Sequence, residues 1–128
     1  MKKKILIVAS NYYKNITNNL IYDASKKLKK NNLLVSVKLV PGTFEIPVVI
    51  ARNIKKYHGF VALGCVIKGK TPHFDYLCSS TFDAILSLSI KSKKPIGNGI
   101  ITSLNMNQAI IRSKQKGTES ANAVIAVL

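Results

Sequence analysis

The densest run of chemically useful residues is Gly64-Cys65-Val66-Ile67-Lys68-Gly69-Lys70-Thr71-Pro72-His73-Phe74-Asp75-Tyr76. An apolar run passes through a short loop into a helical pattern, with Thr71 as N-cap and Pro72 at the first helical position. The unpaired backbone N–H groups of a helix start form an anion site, and His73 lies in the same turn. The positive helix end disfavours imidazolium, which makes His73 a candidate for a neutral imidazole that takes or passes a proton. A plain capped helix with a surface histidine has the same pattern, and periodicity does not separate the two.

Four other positions carry usable groups. In Pro41-Gly42-Thr43-Phe44-Glu45-Ile46-Pro47, Glu45 sits at a helix start. Capping explains it, and so does hydrogen bonding to a polyol. Arg112 is one of two arginines among many lysines. Its planar fork suits a phosphate, although a helix-surface arginine fits too. Arg52 lies mid-helix and reads as solvated. Tyr12 and Tyr13 follow the first strand, where an aromatic can stack on a planar heterocycle or pack the loop. Cys65 and Cys78 read as reduced, buried or half-buried thiols, and His58 as a solvated turn residue. No G-x-G-x-x-G, P-loop, acidic cluster after the first strand or zinc-ligand spacing occurs, so these motifs support no dinucleotide, magnesium or zinc site.

The elements that must position these groups alternate. Continuous apolar runs at 5–9 and 60–67 read as strands buried on both faces. The stretch 33–40 alternates like a strand, and 96–101 is a fourth, punctuated by Gly97 and Gly99. Helical patterns cover 17–30, 44–56, 72–92, 105–114 and 118–128, the last two split near Lys116-Gly117. This order predicts a parallel sheet with helices on both faces, and a ligand site beyond the carboxyl ends of the strands. The loops at 10–16, 41–45, 67–73 and 102–105 are therefore the ones to examine.

With 128 residues, 47% of them hydrophobic, a single domain over 1–128 can fill a core. The charged start Met1-Lys2-Lys3-Lys4 precedes too short an apolar run for a signal peptide, and no segment is long enough to span a membrane, so a cytoplasmic protein is expected. The net charge of +15, from 20 basic and 5 acidic residues, raises the alternative of a basic module for RNA or an acidic partner. The lysines are scattered among Asn and Ile, as in "KKLKKNN", which favours compositional drift over a nucleic-acid face.

Three stretches, "PGTFEIP" at 41–47, "ALGCVIKGKTPHFDY" at 62–76 and "NQAIIR" at 107–112, together with "SNYYKNIT" at 10–17, resemble the lumazine synthases in order and spacing over nearly the whole chain. The resemblance implies a three-layer flavodoxin-like sandwich with a four-stranded parallel sheet. It implies condensation of 5-amino-6-ribitylaminouracil with 3,4-dihydroxy-2-butanone 4-phosphate, releasing phosphate and water, with no cofactor. By the same resemblance Tyr12 would stack on the pyrimidine, and Gly42, Thr43, Phe44 and Glu45 would hold the ribityl chain. Cys65, Val66 and Ile67 would line the ring pocket. Lys70 and Thr71 would offer amides to the phosphate, and Thr71 its hydroxyl as well. His73 would transfer protons and Arg112 would bind the phosphate, with Lys116 and Glu119 nearby. In the family the site is shared between neighbours of a pentameric ring, so Asn98, Arg112 and Lys116 would come from the next subunit. Asn98 stands where the family usually has an aromatic, and the turn after Arg112 is shorter than usual. The strand that in the family precedes the first one here is absent as well. A pentamer is therefore expected rather than an icosahedral shell, and a lumazine- or riboflavin-binding relic is a third reading.

Overall fold

Apolar runs without polar interruption become strands sealed on both sides. In the computed structural model, which describes residues 2–128, the elements are β1 (Lys4–Ser10), α1 (Lys14–Lys30), β2 (Leu34–Val40), a 3-10 turn (Thr43–Glu45), α2 (Ile46–Arg52), β3 (Gly59–Ile67), α3 (His73–Ser92), β4 (Ile96–Ser103), α4 (Met106–Ser113) and α5 (Lys116–Val127). All strand pairs are parallel and the order is β2-β1-β3-β4. The result is a three-layer flavodoxin-like sandwich, as the resemblance implies, with the parallel sheet that the alternation of elements predicts.

The two-residue period of a strand sorts the core. Ile5, Ile7 and Ala9 of β1 join Val61, Leu63 and Cys65 of β3 against Ile16, Leu20, Ala24 and Leu28 of α1, Ala109 of α4, and Ala121 and Val124 of α5. Leu6 and Val8 face the other way, with Phe60, Ala62 and Ile100, against Ile46 and Ile50 of α2 and Ile85 of α3. Each fully buried Leu or Ile stabilises the fold by roughly 1.5–3 kcal/mol. Coverage is uneven. In β2 only Val40 is buried, and along the 20 residues of α3 only Thr81 and Ile85 are. Tyr76, Leu86 and Ile90 of α3 stand exposed.

Several helix boundaries differ from expectation, beginning with α1, which starts at Lys14 rather than near Thr17. The helix expected over 44–56 is a single 3-10 turn followed by α2, which stops at Arg52. The Asn53 side chain donates to the Val49 carbonyl at 2.8 Å, and Lys56 N–H to the Asn53 carbonyl at 2.9 Å, which turns the chain away. At α3, Pro72 is the N-cap rather than the first helical residue, and the Thr71 hydroxyl accepts from the His73 N–H at 3.4 Å. Gly117 does not split the last two helices. The break falls at 114–115, and Gly117 sits inside α5 against α1, where a Cβ would lie 2.6 Å from the Leu20 carbonyl oxygen. Gly97 does the same for β4, since a Cβ there would lie 2.2 Å from the Ser120 carbonyl oxygen. These two glycines let α5 lie directly on its neighbours.

Candidate functional site

The end of β3 builds the first half of the site. Val66 and Ile67 are half-buried where the strand leaves the sheet, and α3 begins six residues after Ile67, at His73. Between them lies a cleft of about 490 Å³ lined by Phe44, Val66, Ile67, Gly69, Thr71 and His73, with Phe74, Tyr76, Leu77 and Ser80 from α3. His73, Tyr76, Leu77 and Ser80 are spaced as one helix face, which sets the imidazole at the mouth of an otherwise apolar wall. The first N–H groups of α3 have no intrahelical acceptor and a positive dipole behind them, a place for a phosphate. Phe44 and Tyr76 are 72% and 70% exposed, so one wall of this cleft is bare in the single chain.

The second half is built from charge. A cleft of about 330 Å³ is lined by Asn98, Arg112, Lys116 and Glu119, with Phe82, Ile100, Ile101, Thr102 and Gln115. Asn105 caps α4 by accepting from the Gln108 N–H at 2.9 Å, and the Gln108 side chain accepts from the Leu104 N–H at 2.9 Å. This fixed start sets Arg112 in the last turn of α4, where one guanidinium nitrogen donates to the Thr102 carbonyl. Such a fork, held at one edge, suits an anion. Lys116 and Glu119 are three apart on α5 and share a face. The Asn98 side chain is turned back on its own strand, accepting from the Ile100 N–H at 3.1 Å.

The two clefts share no lining residue. The structure therefore gathers Phe44, Val66, Ile67, Thr71 and His73 on one side, and Asn98, Arg112, Lys116 and Glu119 on the other. It does not bring Cys65 into either cleft. Cys65 is buried in the core layer with Ile7, Leu63 and α1, and burial pushes its thiol up to about 11. Cys78 is half-buried, and its thiol is raised by burial first and by Asp75 second. Thr43 is buried, and the Glu45 carboxylate lies over Gly42, so close that a Cβ there would be 3.1 Å from it. Phe44 and Glu45 also line an adjoining hollow of about 350 Å³, beside Thr81, whose buried hydroxyl has no partner. Tyr12 is 68% exposed with its ring centroid 4.9 Å from that of Tyr13, and Tyr13 rather than Tyr12 packs on the core. Lys70 is exposed and lies outside both clefts. Among the described residues no group of three His, Cys, Asp or Glu could hold a metal.

Sequence reading gave no role to Tyr76, Leu77 and Ser80, although their spacing from His73 marks one helix face, or to Phe74 beside it. It also passed over Phe82 and Gln115, for which no local signal exists, while Thr102 falls in the 102–105 loop already marked for examination. Their place in the Arg112 cleft depends on how α3, β4 and α4 pack.

The sequence profile of 6,7-dimethyl-8-ribityllumazine synthase matches residues 2–128. The chain is 38% identical to the 6,7-dimethyl-8-ribityllumazine synthase of Bartonella tribocorum, over 100% of this chain and 91% of the relative. It is 37% identical to that of Bartonella bacilliformis, over 97% and 87%, and 34% identical to that of Corynebacterium kroppenstedtii, over 95% and 80%.

Proposed function

The chain belongs to the 6,7-dimethyl-8-ribityllumazine synthase family, and from that premise we propose that its active site forms where the His73 cleft of one subunit meets the Arg112 cleft of the next. The reaction is the condensation of 5-amino-6-ribitylaminouracil with 3,4-dihydroxy-2-butanone 4-phosphate to 6,7-dimethyl-8-ribityllumazine, with release of phosphate and water. The observation that carries the shared site is the division of the chemistry. The apolar wall with the histidine and the cationic cleft lie apart on one chain, with no lining residue in common.

In the joined site the pyrimidine lies on the Phe44, Val66 and Ile67 wall, with Tyr12 above it and Glu45 toward the ribityl hydroxyls. The phosphate of the second substrate lies between the α3 start, with Thr71, and the Arg112 fork. Imine formation, phosphate elimination and ring closure each move a proton close to that phosphate, and His73 is the group placed to carry it. Lys116 and Glu119 border the Arg112 side, and Asn98 leaves more open the place an aromatic would fill. Holding two substrates in one orientation supplies much of the rate.

Exposed apolar residues support the assembly. Phe44, Val48, Tyr76, Leu86 and Ile90 form one bare set on the 3-10 turn, α2 and α3, and Leu104, Met106, Ile110 and Ile111 form another at α4. Two different apolar patches on one chain suit a head-to-tail interface, which closes into a ring. A pentamer is our reading. Both substrates are small and hydrophilic, which supports work in the cytoplasm. Among the described residues no helix is long and apolar enough to cross a membrane. Lumazine absorbance on mixing both substrates with the assembled protein tests the activity. Absence of product from a protein shown to be assembled overturns it.

A further inference from the structure

A third groove, of about 580 Å³, lies away from both clefts and is lined by Leu6, Ser36, Lys38, Arg52, Lys56 and Tyr57, together with Val37, Val49 and Asn53. It exists because α2 is short. The helix stops at Arg52, and the chain turns at Asn53 before it can cover β2. On the α2 side of β2, register sets Ser36 beside Leu6 and Lys38 beside Val8, so polar residues stand where a covered parallel strand is apolar. Three cations, Lys38, Arg52 and Lys56, thus border one concavity, and none of the five acidic residues lines it.

The groove floor is set by its neighbours. Tyr57 packs edge-on against the buried Phe60, with ring centroids 6.0 Å apart, and the Lys4 ammonium lies 5.5 Å from the Tyr57 ring centroid. The carboxyl end of α2 is negative by its dipole and opposes an anion. Here one terminal carbonyl, of Val49, is satisfied within the protein by the Asn53 amide, and the Lys94 ammonium donates to the Ile54 carbonyl in the turn that follows. Its volume falls within the range of small-molecule sites, and the cations around it call for a ligand with several negative charges.

We propose that this groove is a second anion site, for a small oligophosphate-bearing molecule, independent of the synthase site. Arg52 offers the planar fork, Lys38 and Lys56 offer point charges, and Ser36 and Asn53 add neutral hydrogen-bonding groups. The reading assigns a role to part of the +15 charge that drift alone leaves without one.

The test is calorimetric titration of the assembled protein with inorganic tripolyphosphate at physiological ionic strength, in an Arg112→Ala background that weakens the catalytic phosphate site. Two triple variants are compared, each removing three positive charges. One is Lys38→Gln/Arg52→Gln/Lys56→Gln in the groove, and the other is Lys26→Gln/Lys29→Gln/Lys30→Gln on exposed α1 positions. The expected result is saturable binding that weakens about tenfold or more in the groove variant and less than about threefold in the control. The groove triple made with Arg112 intact is expected to keep native lumazine turnover. Equal weakening in both variants, or absent binding, overturns the proposal. A single-stranded RNA whose affinity falls in the groove variant more steeply than that of tripolyphosphate overturns it too, in favour of a nucleic-acid face.

Discussion

The cleft at the start of α3 and the cleft around Arg112 solve different problems with different means. The first is backbone and apolar surface. A strand end, a tight loop and a helix start present N–H groups, and Phe44, Val66 and Tyr76 present a wall. The second is side-chain charge, with Arg112, Lys116 and Glu119 gathered by α4 and α5 beside β4. Backbone groups come with the fold and stay put. Long charged side chains must be tethered, and Arg112 is tethered to the Thr102 carbonyl. The apolar wall and the cationic cluster are separate on one chain, which is why the proposed site joins a copy of each.

That comparison sets the order of expected effects. The largest is Arg112→Ala, which removes a charge-assisted contact to the phosphate and lowers kcat/KM about 10³-fold in steady-state turnover. His73→Ala removes a proton carrier while leaving both surfaces, and costs about 10²-fold with a flattened pH profile. An arginine loss smaller than the histidine loss would reverse the assignment of roles.

The sharpest challenge to the shared site is a mixture. Equal amounts of the His73→Ala and Arg112→Ala chains, unfolded together and reassembled, give about a quarter native sites if each site takes one residue from each neighbour. Activity well above either parent is the expected outcome. No gain from a reassembled ring places both residues in one chain's site.

Two smaller effects concern what holds the clefts in place. Gly97→Ala sets a methyl against the Ser120 carbonyl and drives α5, with Lys116 and Glu119, off β4. Denaturant unfolding is expected to show a loss of about 2–3 kcal/mol, with turnover falling alongside. Cys65, in the core layer against α1, has its thiol pushed up to about 11 from an ordinary value of 9.0. Its folded pKa is the raised one. The stability contributed by the neutral thiol is therefore complete below the ordinary value and is lost as pH rises through about 11. Mass spectrometry after alkylation under mildly alkaline conditions should find Cys65 unmodified in the native protein and modified after denaturation. Rapid native labelling would mean that the core between β3 and α1 opens.

Much of the fold could be read from local pattern. Ile5 to Ala9 and Phe60 to Ile67 admit little but a buried parallel strand, since no helix of ordinary length fits so short an apolar run between turns. Thr71-Pro72 marked the helix start at His73 to within one residue, because the cap is Pro72 rather than Thr71, and the helix-start signal is local. The short α2 was less legible. Its stop depends on Asn53 bonding back to Val49, a choice the helical pattern of 44–56 does not reveal. Gly117 misled for a related reason. A glycine reads as a break in sequence, whereas here it is a point of contact with the α1 backbone.

By itself, then, the sequence determined the layers and named the candidate groups, since both follow from side-chain type at short spacing. Only the tertiary structure decided which groups meet. It set Arg112 on Thr102, turned Asn98 back on its own strand, buried Cys65 in the core instead of in the pocket wall, and left β2 bare beside Arg52. Those outcomes depend on packing between residues far apart in the chain, and no local spacing carries that information.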